Sequence, residues 1–141
     1  MKRVDVAYVL LFDEQENKVL MVKNKGEQSS YYTLPGGAVE PGETLVEGAI
    51  REVKEETGLE VEVNGIVGIH EAFFKARGHH AVFFHFRGKW IGGEIEISYP
   101  DEIEEVVWMD LELAQKYIGI PETNDLLKKN TSISYINKGI I

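Results

Sequence analysis

Gly37–Leu59 reads GAVEPGETLVEGAIREVKEETGL. Leu45, Ala49 and Val53 recur every fourth residue in it, the narrow apolar stripe of a helix. Pro41-Gly42 breaks the chain ahead of that stripe. Thr44 with Glu47 has the capping-box pattern, which puts the N-terminus near residue 44, and Gly58 is a natural C-terminal stop. Glu52, Glu55 and Glu56 stand at i, i+3 and i+4, so three carboxylates share one face beside the stripe, with Glu43 just ahead of them. Carboxylates held so close repel unless something positive sits among them. A solvated acidic face is the ordinary explanation of such a run. Such faces usually intersperse lysine, whereas here Lys54 points elsewhere and Arg51 is the one adjacent cation. A divalent metal bridging carboxylates to phosphate would balance the charge, and magnesium prefers oxygen ligands. Gly36-Gly37, just before the helix, predicts a turn where bare backbone can approach a ligand or a metal.

Working outward, residues 3–12 alternate and then run apolar through Val4, Val6, Tyr8 and Leu10, which predicts a strand. Asp13–Asn17 is a turn and Lys18–Val22 the returning strand of a hairpin. Lys23–Ser30 is a polar loop, and Tyr31–Leu34 is extended because Pro35 drives Leu34 out of the α region. Strands are expected at 60–74 and 80–90, joined at Arg77-Gly78, and again at Val106–Met109. Leu111–Tyr117 and Glu122–Lys129 read as short helices separated by Pro121, and Ser132–Ile141 is ambiguous, with a final strand as one option. Strands on both sides of one long helix predict an α/β fold, a mixed sheet sandwiched by helices. With no repeat and no linker, residues 1–141 read as a single domain.

Composition narrows the function. At 141 residues the chain can bury a core without staples. It has no cysteine, so thiolate metal sites and disulfides are excluded and oxygen must carry any metal, helped at most by one of four histidines. A net charge of −9 argues against a nucleic-acid polymer as partner, since phosphate backbones demand a basic footprint. It leaves room for a small anionic substrate, because metal ions can invert the local field. The acidity concentrates in Glu40–Glu62 and Glu94–Glu105, which predicts two halves of one site. No run approaches the roughly 18 apolar residues of a membrane span, and the N-terminal MKRVDVAYVLLFDEQ reads as a strand rather than a signal core. The expected address is the cytoplasm, with no membrane partner. A homodimer stays open.

The same segment resembles the Nudix box, G-x5-E-x7-R-E-U-x-E-E-x-G-U with U a bulky aliphatic residue. Gly37, Glu43, Arg51, Glu52, Val53, Glu55, Glu56, Gly58 and Leu59 meet every specified position. The strand pattern and the Leu34-Pro-Gly-Gly lead-in look like the Nudix fold, an α/β/α sandwich. The resemblance implies hydrolysis of a pyrophosphate bond in a nucleoside diphosphate linked to another group X. It implies Glu52 and Glu56 as principal magnesium ligands, with manganese as an alternative ion, Glu55 in support and the Gly36 carbonyl as a further ligand. Arg51 would orient the glutamates through i+4 pairing with Glu55 and Glu47, and Glu43 would brace the helix. Metal ions would neutralise the pyrophosphate oxygens and acidify a water, whose proton a carboxylate must take. Pro100–Trp108 resembles the acidic loop that precedes a Trp-bearing strand in many Nudix enzymes. Six residues before Trp108, Glu102 is the candidate base or added ligand, with Glu105 as fallback.

Substrate recognition is less legible. On strand 81–87, Val82, Phe84 and Phe86 face one side and Ala81, Phe83, His85 and Arg87 the other, and parity alone does not say which borders the cleft. Phe84 is taken as a base-stacking candidate, with core packing as the commoner fate of a strand phenylalanine. Asn124 is taken as a nucleobase contact, with helix capping as the alternative. His79 and His80 are expected to be exposed turn residues. Proline and tyrosine signatures of the ADP-ribose, dinucleoside-polyphosphate and NADH-cleaving groups are missing from the region around Phe73–Gly78. That leaves a nucleoside triphosphate or related small nucleotide by default. Two other classes remain: a non-catalytic Nudix domain that binds or senses a nucleotide, and an enzyme removing pyrophosphate from RNA 5′ ends.

Overall fold

The computed structural model describes residues 1–120, 123, 125, 127 and 132–141. Its first strand, β1 (Lys2–Asp13), turns at Asp13–Asn17 into β2 (Lys18–Asn24). The Asp13 carboxylate accepts from the Gln15 and Glu16 amides, and Asn17 takes the left-handed conformation that ends the turn (φ 56°). The two strands pair only at this end, through Phe12–Val19 and Asp13–Lys18, and then splay. From there β1 runs parallel to β6 (His79–Gly93), which pairs antiparallel with β5 (Leu59–Phe74). β2 lies between β3 (Tyr31–Thr33) and β7 (Ile103–Asp110), antiparallel to both. The result is a mixed sheet in the order β3-β2-β1-β6-β5, with β7 on β2 and β4 (Gly36–Ala38) on β1.

Alternation along β1 assigns its two faces. Ala7, Val9 and Leu11 enter a core with Ala49 and Val53 of α1 (Leu45–Thr57), while Leu10 enters a second core with Ala114 and Ile118 of α2 (Leu111–Ile118). Helices therefore cover both sides of the sheet, as the strand–helix pattern predicts. Both caps of α1 form as expected. Thr44 and Glu47 make the reciprocal capping box, and Gly58 closes the helix in the left-handed region at φ 83°.

Gly36-Gly37 departs from expectation. Instead of a turn it is β4, paired with Val6–Tyr8 in the splay between β1 and β2. A Cβ on Gly36 would lie 2.1 Å from the Ala7 carbonyl oxygen, and its φ is 146°, so close pairing here requires glycine. The 132–141 segment contributes a single antiparallel bridge, Ile66–Ile133, rather than a full strand. Most of the expected helix Glu122–Lys129 lies outside the described residues, as does Asn124.

Candidate active site

Arg51 is the hub of the box segment. It grips Glu43 with both ends of its guanidinium, Nε to Oε2 at 2.7 Å and Nη2 to Oε1 at 2.9 Å. Nη1 donates to Glu52 and Glu55, each at 3.1 Å, and Nη2 to the Ala38 carbonyl at 3.1 Å. The bond from Arg51, joined by one from the Glu40 amide, holds the Glu43 carboxyl down to about 2, and the carboxylates around Arg51 raise the guanidinium above its ordinary value. Glu47 takes no part. Its carboxylate accepts from the Thr44 amide in the capping box, so Glu43 replaces it as the partner that braces Arg51.

Glu52 and Glu56 lie over the glycines of β4. Glu56 Oε1 accepts from the Gly36 amide at 2.8 Å. At Gly37 a Cβ would fall 2.6 Å from the Glu52 carboxyl carbon, so a side chain there would displace that carboxylate from its present position. Burial pushes the Glu56 carboxyl up to about 8 against the pull of the Gly36 amide, and the charges of Glu52, Glu102 and Glu55 push the same way. Burial also raises Glu52, with Glu55 and Glu102 adding to it beyond what Arg51 offsets. Here is a group of oxygen donors whose ionised forms destabilise one another, and a divalent cation would relieve that, so the donor chemistry fits magnesium or manganese. Among the described residues no three carboxylates or histidines yet converge closely enough to hold an ion. Two of the oxygens involved are turned to Arg51, which already supplies positive charge there.

A pocket of about 610 Å³ adjoins this cluster through Tyr8. Tyr8 pairs in register with Gly36, and its hydroxyl is pushed up to about 12 by burial and then by the charge of Glu56. Phe83 stacks on Tyr8 at 5.7 Å, and Tyr117 of α2 lines the far wall with Thr33 and Leu34. At its floor His85 is 3% exposed, and among the described residues neither ring nitrogen has a hydrogen-bond partner. His70 meets it edge-on at 4.4 Å. Burial, and secondarily His70, drops His85 to about 4, so its ring is neutral at pH 7.

The sequence model of the NUDIX domain matches residues 1–129. The chain belongs to the NUDIX family. It is 36% identical over 99 residues to an ADP-ribose pyrophosphatase of Methanocaldococcus jannaschii, covering 70% of this chain and 57% of that protein. Against the 8-oxo-dGDP phosphatase NUDT18 of Homo sapiens it is 36% identical over 107 residues, 74% of this chain and 32% of the relative. The matches thus span less than two thirds of either relative. A crystal structure of a MutT NUDIX hydrolase from Burkholderia pseudomallei superimposes with a TM-score of 0.73 at 23% identity, covering 93% of this chain and all of that one, a likeness of fold. No helix among the described residues is long and apolar enough to cross a membrane.

In this Nudix chain Arg51, Glu52, Glu55 and Glu56 come together as the spacing predicts, with Gly36 against them through its amide. Glu102 sits in the turn before β7, where its charge reaches both Glu52 and Glu56. Glu105 does not join them; it accepts from the Tyr32 hydroxyl at 3.3 Å. The two acidic stretches therefore meet only in part, because Glu96 follows the C-terminal end of α1 (its amide to the Thr57 carbonyl, 2.8 Å) and Glu104 turns to Ser30 and Lys23. Phe84, half-buried, packs against the α1-side core, the alternative fate considered for it, while Phe83, one residue away, lines the pocket. His80 is tied down, 2.8 Å from Glu71 and stacked on Phe73. Sequence reasoning passed over Tyr8, His70 and His85. The available signal was the parity of strand 81–87, which groups His85 with Phe83.

Proposed function

We propose that this chain hydrolyses a pyrophosphate bond in a small nucleotide, a nucleoside diphosphate linked to a group X, and that it uses magnesium, with manganese as a substitute. The observation that carries the proposal is Glu56: half-buried, raised to about 8, bonded to the Gly36 amide, and close enough to act electrostatically on Tyr8, which lines the aromatic pocket. Glu52, Glu55 and Glu56, with the Gly36 carbonyl, would hold the ion. That ion, once bound, would neutralise the pyrophosphate oxygens and acidify an attacking water. Arg51 positions Glu52 and Glu55 through its bonds to both. Glu102, exposed on its turn and electrostatically coupled to the cluster, is the group assigned to take the proton of the water. The water oxygen bonds to phosphorus, the bridging P–O bond breaks, and a nucleoside phosphate and the phosphate that carries X (free phosphate or pyrophosphate where X adds no organic group) leave. The nucleoside enters the pocket of Tyr8 and Phe83, whose rings offer it a stacking face.

A screen of nucleoside diphosphate derivatives, including ADP-ribose, 8-oxo-dGDP and nucleoside triphosphates, tests this with phosphate-product detection. Turnover with magnesium and none with EDTA is the expected result. Tight binding of one nucleotide without turnover of any would instead make the chain a sensing domain.

A further inference from the structure

Two side chains, Tyr8 and Phe83, line both the 610 Å³ pocket and a neighbouring cavity of about 820 Å³ that reaches Gly37 and Ala38 of β4. Phe83 is apolar, so the polar group they bring to that join is the Tyr8 hydroxyl. The ring that carries it is held in place. Phe83 stacks on it at 5.7 Å, and Gly36 lies so close that an added Cβ would stand 2.6 Å from Tyr8 Cδ1. The hydroxyl ends a chain of hydrogen bonds. Asn24 Nδ2 donates to Thr33 Oγ1 at 2.8 Å, and the Thr33 hydroxyl bonds the phenol in the sense that stabilises a charged oxygen, as a donor does. The phenol oxygen thereby receives a donor, and its own proton is left to donate onward. Glu56 and Glu52 are the carboxylates whose charges act on that hydroxyl, which puts it beside the metal-binding candidates. Packing alone asks for none of this. Phenylalanine at position 8 would also stack on Phe83, and would spare a hydroxyl its burial.

We infer that the Tyr8 hydroxyl holds the phosphate that carries the nucleoside, donating to one of its non-bridging oxygens while the base lies in the pocket. The inference rests on the pyrophosphohydrolase reading above and deepens it, by naming the group that sets the distance between base and scissile bond. A nucleotide seated with its base in the pocket and its pyrophosphate at the carboxylates must bring its first phosphate past Tyr8. A phenol is neutral at pH 7, so it meets a phosphate oxygen as a donor, in a bond of the strong, charge-assisted kind. A nucleoside without phosphate offers no acceptor at that point. Tyr8 therefore distinguishes a phosphorylated nucleoside from a bare one, whereas Phe83 treats the two alike.

The test titrates adenosine, guanosine, cytidine and uridine, and the 5′-monophosphate of each, into wild type, Tyr8→Phe and Phe83→Leu in magnesium buffer. None of these probes contains a pyrophosphate bond, so binding is read without turnover. In wild type at least one monophosphate should bind more tightly than its nucleoside. Tyr8→Phe keeps the ring and should remove roughly tenfold or more of that advantage, with affinity for the nucleoside within about twofold of wild type. Phe83→Leu should weaken nucleoside and monophosphate alike, by about fivefold, because it removes ring contact and no donor. Equal weakening of both ligands by Tyr8→Phe would make Tyr8 a plain wall of the pocket and overturn the inference. So would no weakening of either, or a wild type that binds no monophosphate better than its nucleoside. Failure of the hydrolase reading shows separately, as a wild type that turns over none of the screened nucleotides whatever Tyr8→Phe does to binding.

Discussion

Among the described residues, Arg51 makes five hydrogen bonds in the carboxylate centre, while in the pocket beside it His85 makes none through either ring nitrogen. The two regions share Tyr8 and are assembled differently. The centre draws on one stretch of about twenty residues, Gly36–Glu56, in which helical spacing and a capping box bring the charges together. The pocket draws on β1, β3, β5, β6 and α2, and its walls meet only when the parallel β1–β6 register is in place. Charge concentrated in a local element is costly unless balanced, so it marks itself in the chain. A pocket built at long range from aromatic, apolar and scattered polar residues of several strands carries no such local mark.

The comparison breaks most visibly at Glu56. Glu56→Gln keeps the shape and still accepts from the Gly36 amide, but it removes the charge. Turnover should fall by roughly a thousandfold, the upper range for loss of one electrostatic group at a reacting centre. Stability should move the other way. Glu56 is raised to about 8 when folded and titrates near 4.5 when unfolded, so the folded state is favoured while the carboxyl is protonated and loses that advantage as pH rises from about 4.5 through 8. Above pH 8, without metal, the glutamine variant should therefore melt no lower than wild type. Turnover within tenfold of wild type would show that the charge of Glu56 is not part of the chemistry.

The contrast also explains what could be read from the chain. The shared face of Glu52, Glu55 and Glu56 follows from i, i+3 and i+4 spacing, the part played by Arg51 follows from the resemblance to the Nudix box, and Thr44, Glu47 and Gly58 announce both ends of α1. Glu43 was harder, because its grip on Arg51 spans eight residues across the Pro41-Gly42 break and is not a helical pairing. Gly36-Gly37 reads as a turn in sequence because glycine reports only that the backbone needs space; it does not say that the space is taken by a neighbouring strand. Glu102 could be placed near the site only through the acidic loop ahead of Trp108. Tyr8 and His85 lie across from each other in the β1–β6 register, a pairing that no local pattern encodes.

A second break targets the unpartnered histidine. His85 stays neutral in the folded chain down to about pH 4, whereas the unfolded chain protonates it near 6.5. Between those values only the unfolded state takes up the proton, so stability is fully present above about 6.5 and is lost as pH falls to 4, by about 3 kcal/mol. His85→Phe keeps a ring of similar shape and removes both unsatisfied nitrogens, which costs little and can even stabilise. Denaturant midpoints at pH 7 and pH 4 should therefore differ less in the variant, by about that amount. Equal acid sensitivity in the two proteins would mean that His85 has a partner or reaches solvent.

The smallest expected effect sharpens the boundary between pocket and core on β6. Val6 and Tyr8 pair with Phe83 and His85, while Ala7 and Val9 pair with Phe84 and Phe86, so neighbouring phenylalanines belong to opposite faces of the sheet. Phe83→Leu removes a ring that stacks on Tyr8 and lines the pocket. KM for the nucleotide should rise about five- to tenfold while the melting temperature holds, in keeping with the worth of one aromatic contact. Phe84→Leu should leave KM alone and cost about 1 kcal/mol, because it alters only packing against the α1-side core. Steady-state kinetics and denaturant titration on the same two proteins separate these outcomes. The opposite pattern would require β6 to be shifted by one residue against β1, which would also carry His85 into the α1-side core.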